Sequence, residues 1–261
     1  MISFESIDFE NKKVLLRVDL NVPLENRKVT NDFRIRQSAP TIHKILNSGG
    51  SVILVTHIGR PKEGEEDPNL STSILIPALE RVLNMPVRFK KDWITGFEIN
   101  KGEVVLCENV RFLKGETSND LQLTKDMSNL CDIFINEAFS SSHRAHASNY
   151  GVAQNCKIKA PGPLFLTEIQ ALHKIIKKNE SPSLAIIGGS KISTKTALIR
   201  NLSRKVDHLI LGGGIANLII KARGFRIGQS LFEEKAFEET CRMIKDIDNI
   251  IFPVDVVCAN E

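Results

Sequence analysis

Residues 13–23 read Lys13-Val14-Leu15-Leu16-Arg17-Val18-Asp19-Leu20-Asn21-Val22-Pro23. The run Lys13–Leu20 is a buried strand by composition, of the continuous apolar kind that a parallel sheet covers on both faces. It runs into Asp19, Asn21 and Pro23, which are polar or turn-forming. A helical pattern follows over Asp32–Asn47, with Ile35, Ala39, Ile42, Ile45 and Leu46 at helical spacing and Gly49 as a stop. Pro40 inside it should kink the helix or mark its true start. Ser51–Thr56 is the next strand and Ser73–Leu83 the next helix. Glu103–Leu106 and Asp132–Ile135 are strands that flank a helix near Asp120–Leu130. Alternation of this kind predicts an α/β fold built on a mainly parallel sheet.

The pattern changes at Leu164–Lys178, a long amphipathic helix that ends in Lys177, Lys178 and Asn179. Ser181 and Pro182 punctuate the sequence, and the alternation restarts. Strand Leu184–Ile187, helix Thr194–Arg204, strand His208–Leu211, helices Ile215–Arg223 and Glu233–Lys245, and strand Ile250–Val257 follow. The expected organisation is a first lobe over 1–163, a connecting helix over 164–180 and a second lobe over 181–261. That second lobe is small for an independent core.

Composition excludes several functions. The protein has 261 residues, 42% hydrophobic and 25% charged, an ordinary globular balance. Thirty-five basic against 31 acidic residues leave a net charge of +4, too mild to predict a nucleic-acid or membrane binder but with room for a local basic site. Aromatics are only 6%, which argues against base stacking. The longest apolar stretches, Ser51–Thr56 and Leu209–Ile220, fall short of the roughly 18 residues of a membrane span. Glu5, Asp8 and Glu10 occupy the start without a basic segment, so no signal peptide is read. Cys107, Cys131, Cys156, Cys241 and Cys258 are widely spaced, and free thiols in a reducing cytoplasm are expected.

Ligands of open parallel sheets bind beyond the carboxyl ends of the strands. The four strands of the first lobe deliver Asp19, Asn21 and Pro23; His57, Gly59, Arg60 and Pro61; Glu108, Asn109 and Arg111; and Asn136, Glu137, His143, Arg144 and His146. Arg34 and Arg36 stand just inside the first helix. Several cations arriving from separate loops make a socket for a small polyanion, because the planar guanidinium binds carboxylate or phosphate bidentately. Any one of these arginines taken alone reads better as a surface ion-pair partner; several together, each following a strand end, favour the socket. His143 and His146 stand at i, i+3, but no third metal ligand has matching spacing.

The second lobe ends its strands in glycine. The first strand runs into Gly188-Gly189-Ser190-Lys191-Ile192-Ser193-Thr194-Lys195, the second into Gly212-Gly213-Gly214-Ile215-Ala216-Asn217. Glycine lets the backbone approach a ligand, and a helix N-terminus favours anions. Neither segment fits a P-loop or dinucleotide fingerprint, so tight turns and phosphate loops both remain open readings. Lys191 and Lys195 face one way if the turn between them is helical. No nucleophile elbow, zinc-protease motif or cysteine–base pair is present.

Taken together these motifs resemble those of the phosphoglycerate kinases. The matching segments are Leu16–Pro23, Thr56–Pro61, Glu108–Phe112, Asn136–Phe139, His143–Ser148, Gly188–Lys195, Gly212–Gly214 and Pro253–Val257. The resemblance implies two Rossmann-like parallel-sheet lobes that close on their substrates. It implies reversible phosphoryl transfer between 1,3-bisphosphoglycerate and ADP, a glycolytic step, by a cytoplasmic monomer using Mg2+ as Mg-ADP and Mg-ATP, with no nucleic-acid or membrane partner. It implies that Asp19, Asn21, Arg34, His57, Arg60, Arg111 and Arg144 hold 3-phosphoglycerate, and that Gly189, Ser190, Lys191, Lys195 and Gly214 lie on the nucleotide side. Arg34 and Lys191 would bridge the transferring group, and Lys195 would steady the nucleotide phosphates.

The family pattern continues with a Trp-Asn-Gly-Pro segment, an acidic residue for the nucleotide sugar, a Gly-Gly-Asp-Thr turn and a final segment that returns to the first lobe. None of these has a counterpart here, and Trp93 belongs to the first lobe. The expectation is therefore a sequence that is incomplete at its C-terminal side relative to the family, with its second lobe truncated and negligible turnover from these 261 residues alone. The alternative expectation is a truncated, non-catalytic anion-binding or interaction protein of the same descent.

Overall fold

The computed structural model describes residues 2–176, 181–253 and 255–257. Lys177–Asn179, Val254 and Cys258, all singled out above, lie outside the described residues. The protein divides into two compact units, Met1–Ile169 and Gln170–Glu261, with the division inside one helix.

The first unit contains β1 (Lys13–Arg17), a small hairpin of β2 (Leu24–Glu25) and β3 (Lys28–Val29), α1 (Phe33–Asn47) and β4 (Ser51–Val55). After them come α2 (Ile76–Leu83), β5 (Arg88–Lys90), β6 (Val104–Cys107), α3 (Leu121–Asn129), β7 (Ile133–Asn136), α4 (Val152–Asn155), β8 (Ile158–Pro161) and α5 (Pro163–Ile176). Six strands form one sheet in the order β5-β6-β4-β1-β7-β8, every pair parallel. Alternate residues of the central strands feed opposite cores. Val14 and Leu16 of β1 pack with Ile35, Ile42 and Ile45 of α1. Leu15 faces the other way, in a cluster with Trp93, Met127 and Phe134. Burial on both faces is why these strands read as continuous apolar runs.

Several boundaries differ from expectation. Helix α1 starts at Phe33 and continues through Pro40. Pro40 is exposed, so water can serve the carbonyl of Arg36 that its missing N–H leaves unpaired. A 3-10 turn over Thr72–Leu75 precedes α2, with the Ser71 hydroxyl accepting from the Ser73 N–H. The hairpin, β5 and β8 add to the expected strands; short, half-exposed edge strands carry no apolar run.

The second unit contains β9 (Leu184–Gly188), α6 (Thr196–Ser203), β10 (His208–Gly212), α7 (Gly213–Ala222), α8 (Phe237–Lys245) and β11 (Ile250–Ile251). Its parallel sheet has the order β11-β10-β9. Ile187, Leu209 and Leu211 pack against Ile199, Ile215, Leu218 and Met243. The strand expected over 250–257 is only two residues long. Pro253 has no N–H for a ladder, which ends the pairing early.

Candidate functional site

In the first unit the backbone runs from β1 to β4 on one side, then returns through β7 on the other side of β1. The carboxyl ends of β1, β4 and β7 therefore meet at a topological switch point. The connections are tied there, with the Val18 N–H donating to Val55 O at 3.0 Å and the Glu137 N–H to Arg17 O at 2.8 Å. Asp19, Asn21, Arg34, His57, Arg60, Arg111 and Arg144 all line one cavity of about 280 Å3 at this edge, joined by Gly59, Ser140 and Ser141. A neighbouring cavity of about 350 Å3 shares Arg60, Arg111 and Arg144 and adds His146 and Thr117.

The seven expected side chains thus converge, but their states differ. Arg34 pairs with the Asp19 carboxylate, which also accepts from the Ser140 hydroxyl. Burial works against the Asp19 charge, yet Ser140 and Arg34 outweigh it and hold the carboxyl below its usual range. Arg111 donates to the Gly59 carbonyl, and Asn21 Oδ1 accepts from the Gly59 N–H at 3.0 Å. Among the described residues no carboxylate lies within ion-pair distance of Arg60, Arg111 or Arg144. Three guanidinium groups without anionic partners share one edge, so the field there is positive and open to an anion. Arg36 does not join them: it pairs with Asp32 one helical turn back, at 2.8 Å.

Beneath the socket lies a residue to which the motif reading assigned no role. Arg17 is 1% exposed. It donates to the Val18 carbonyl, to Ser148 Oγ at 3.0 Å and to His57 Nδ1 at 3.2 Å. Arginine only donates, so Nδ1 of His57 is the acceptor and the neutral ring carries its proton on Nε2. Ser148 in turn donates from Oγ and N to the buried Glu116 carboxylate, at 2.6 and 2.9 Å. A charged residue inside the mainly apolar run Lys13–Leu20 was the available signal. Asn109 and Glu108 brace the same edge: the amide of Asn109 donates to Ile58 O and Leu70 O, and Glu108 accepts from Ser71 and Thr72.

Burial, followed by the nearby Arg17, Arg111 and Arg144 charges, pushes the His57 pKa down to about 3. The unfolded protein takes up a proton near pH 6.5 that the folded protein refuses. Stability is therefore full above that pH and is lost as pH falls toward 3. From His57 alone, the loss between pH 8 and pH 5 is about 2 kcal/mol. Histidine NMR should show the His57 ring untitrated over that range. A ring titrating near 6.5 would sink this account. A polyanion seated in the socket should raise the pKa.

In the second unit Gly188 at the end of β9 pairs with Gly212 at the end of β10. Gly213 has φ +63°, which favours glycine, and a Cβ on Gly214 would lie 2.8 Å from the Ser190 carbonyl oxygen and 3.1 Å from Ser190 Cα. The Ile215 N–H donates to Gly189 O at 3.1 Å. The two glycine turns are thus locked side by side, with the amino end of α7 beside Ser190. Gly214→Ala should force them apart and cost about 1–3 kcal/mol, read by urea unfolding of the second unit. An unchanged midpoint would mean that the turns yield freely. Lys195 donates from Nζ to Gly188 O and so lies over the same turns, while Lys191 is exposed. The segment between them is turn, not helix, and α6 begins only at Thr196. A shared helical face for the two lysines is therefore not what the structure has.

A positive socket at the switch point of one parallel-sheet unit, and glycine turns at the strand ends of a second, define an α/β protein equipped to hold small polyanions. Residues 4–261 match the family model described as phosphoglycerate kinase. The sequence is 47% identical over its whole length to a phosphoglycerate kinase of Francisella philomiragia, of which it covers 67%. It is 46% identical over 92% of its length to one of Legionella pneumophila, of which it covers 60%. Among solved structures, phosphoglycerate kinase from Coxiella burnetii matches 97% of this protein with a TM-score of 0.83 at 41% identity, the match spanning 66% of the Coxiella protein. The chain belongs to the phosphoglycerate kinase family. It spans about two thirds of the length of the relatives it matches.

Proposed function

We propose that this protein serves the phosphoglycerate kinase reaction, the reversible transfer of a phosphoryl group between 1,3-bisphosphoglycerate and ADP that gives 3-phosphoglycerate and ATP. The observation that carries this reading is the convergence of Asp19, Asn21, Arg34, His57, Arg60, Arg111 and Arg144 on one cavity. In the forward direction the bond from phosphorus to the acyl oxygen breaks and a bond to a β-phosphate oxygen of ADP forms. The carboxylate leaves as a stable anion, so no general base is required. Catalysis of this type rests on positioning and charge neutralisation.

In this reading Arg60, Arg111 and Arg144 hold the phosphoglycerate anion, and Asn21 and neutral His57 orient it. Arg34 shifts from Asp19 toward the transferring group, and Lys191 serves the nucleotide side. Lys195 steadies the nucleotide phosphates, and Gly189, Ser190 and Gly214 let the backbone come close to them. Among the described residues no group of three or more His, Cys, Asp or Glu side chains stands together to hold an ion. Family membership supports magnesium that would arrive on the nucleotide, as Mg-ADP or Mg-ATP. Family membership supports a cytoplasmic, glycolytic setting. Among the described residues no helix is long and apolar enough to cross a membrane.

Calorimetry with 3-phosphoglycerate tests the socket. Binding should be saturable and should weaken as salt rises from about 0.1 M to 1 M, where the Debye length shrinks from about 10 Å to about 3 Å. Glycerate, which lacks the phosphate, should bind far more weakly. Equal binding of the two would remove phosphate recognition from this site.

A further inference from the structure

We propose that Cys131 and Cys156 form a reversible redox-modification site, closing to an intramolecular disulfide under peroxide. Cys131 follows α3 and stands two residues before Ile133, the first residue of β7. Cys156 follows α4 and stands two residues before Ile158, the first residue of β8. Ile133 and Ile158 are register partners. The two cysteines therefore occupy matching positions on the approaches to neighbouring parallel strands, which run about 4.7–4.9 Å apart. Their sulfurs are 3.8 Å apart, already in contact. A disulfide needs about 2.05 Å between sulfurs and a Cα separation of about 4.4–6.8 Å, so closure asks for a movement of under about 2 Å.

The chemical setting favours the first step. Cys156 is buried, and its thiolate is eased by the Cys131 thiol first, against the cost of burial, and then by Ser128 and Lys159. Cys131 is partly exposed and opens the pair to a small oxidant. The Cys156 thiolate attacks one oxygen of hydrogen peroxide. The O–O bond breaks, hydroxide leaves, and Cys156 becomes a sulfenic acid. The Cys131 sulfur then attacks the Cys156 sulfur. Its proton and the sulfenic hydroxyl leave as water, and the S–S bond forms. Two thiols lose two electrons in all, and one peroxide gains them to give two waters. Thiol reductants reverse the reaction by exchange. Both cysteines precede their strands, so the pair lies at the opposite edge of the sheet from the arginine socket.

The test uses the 261-residue protein, treated with peroxide, then alkylated and digested with trypsin. Arg144 lies between the cysteines, so trypsin separates them in the reduced protein. Oxidation should join the Cys131 and Cys156 peptides with a loss of about 2 Da, two free thiols should disappear, and dithiothreitol should restore them. Non-reducing electrophoresis should show a monomer. The partly exposed Cys131→Ser variant should lose the crosslink, and Cys241→Ser should keep it. The wild-type crosslink needs no variant to fold, so it stands as an independent readout. Separate sulfinic acids on Cys131 and Cys156, or a crosslink through Cys241, would overturn the proposal.

Discussion

Arg17→Ala should lower the unfolding free energy of the first unit by about 3–5 kcal/mol, the cost of breaking a buried charge arrangement by removing one partner. Arg17 is 1% exposed and Glu116 is fully buried. They do not touch: Ser148 stands between them, accepting from the guanidinium and donating to the carboxylate. Burial pulls the Arg17 pKa down and pushes the Glu116 pKa up, and each opposes the other's shift through the attraction of opposite charges. Without Arg17, Glu116 keeps its two Ser148 hydrogen bonds but loses its principal countercharge, and His57 Nδ1 loses its donor. Glu116 then holds its proton more tightly when folded than when unfolded. A carboxyl with a raised folded pKa contributes stability at low pH that is lost as pH rises. The deficit of Arg17→Ala should therefore be larger at pH 8 than at pH 5. Adding Glu116→Gln should recover part of it, because the uncompensated charge is gone. The sole tryptophan, Trp93, is buried in this unit, so its fluorescence in urea follows the right transition. A loss under 1 kcal/mol at both pH values would show that the guanidinium is better hydrated than its surroundings imply.

That network leaves little trace in the sequence. The strands of the first unit were legible because each is buried on both faces, which makes an unbroken apolar run. The socket is legible because a parallel sheet brings the residue after each strand to a common edge, which puts Asp19, His57, Arg111 and Arg144 together. Arg17 sits inside such a run, and its partners come from Glu116 and Ser148, in segments with no periodic pattern. Ser148 lies 131 residues along the sequence from it, and a contact at that separation has no local signal. The edge strands β5 and β8 failed for another reason. They are short and half exposed, so their side chains mix polar and apolar types. Lys191 and Lys195 would share a face only if the segment between them were helical, but the backbone makes turns there and Lys195 folds back onto Gly188. The resemblance named their side of the reaction, and local backbone geometry decided where the amines go.

Arg60→Ala and Arg144→Ala should each weaken 3-phosphoglycerate binding by about 1.5–3 kcal/mol, the scale of a hydrogen bond to a charged group, or roughly 10- to 150-fold. The double variant should lose more than either variant alone, but less than the product of the two. The reason lies in the socket's own charges. Arg111 is buried, and after burial itself the Arg144 and Arg60 charges help to pull its pKa down, as does Arg144 for His57. These cations repel one another until an anion arrives. Removing one relieves the others, which lowers the energy of the free protein and enlarges the apparent loss of affinity at that step. With one gone, the second has less repulsion left to relieve. The same argument predicts opposite effects on folding: Arg144→Ala should leave stability unchanged or raise it, since no carboxylate among the described residues pairs with it. A site held ready for an anion is strained without one, and stability and binding then pull apart. Calorimetry at two salt concentrations, with thermal unfolding of the same samples, decides the matter. Variants that bind as tightly as the parent would empty the socket of its function. Variants that bind weakly but also unfold early would make Arg60 and Arg144 structural residues.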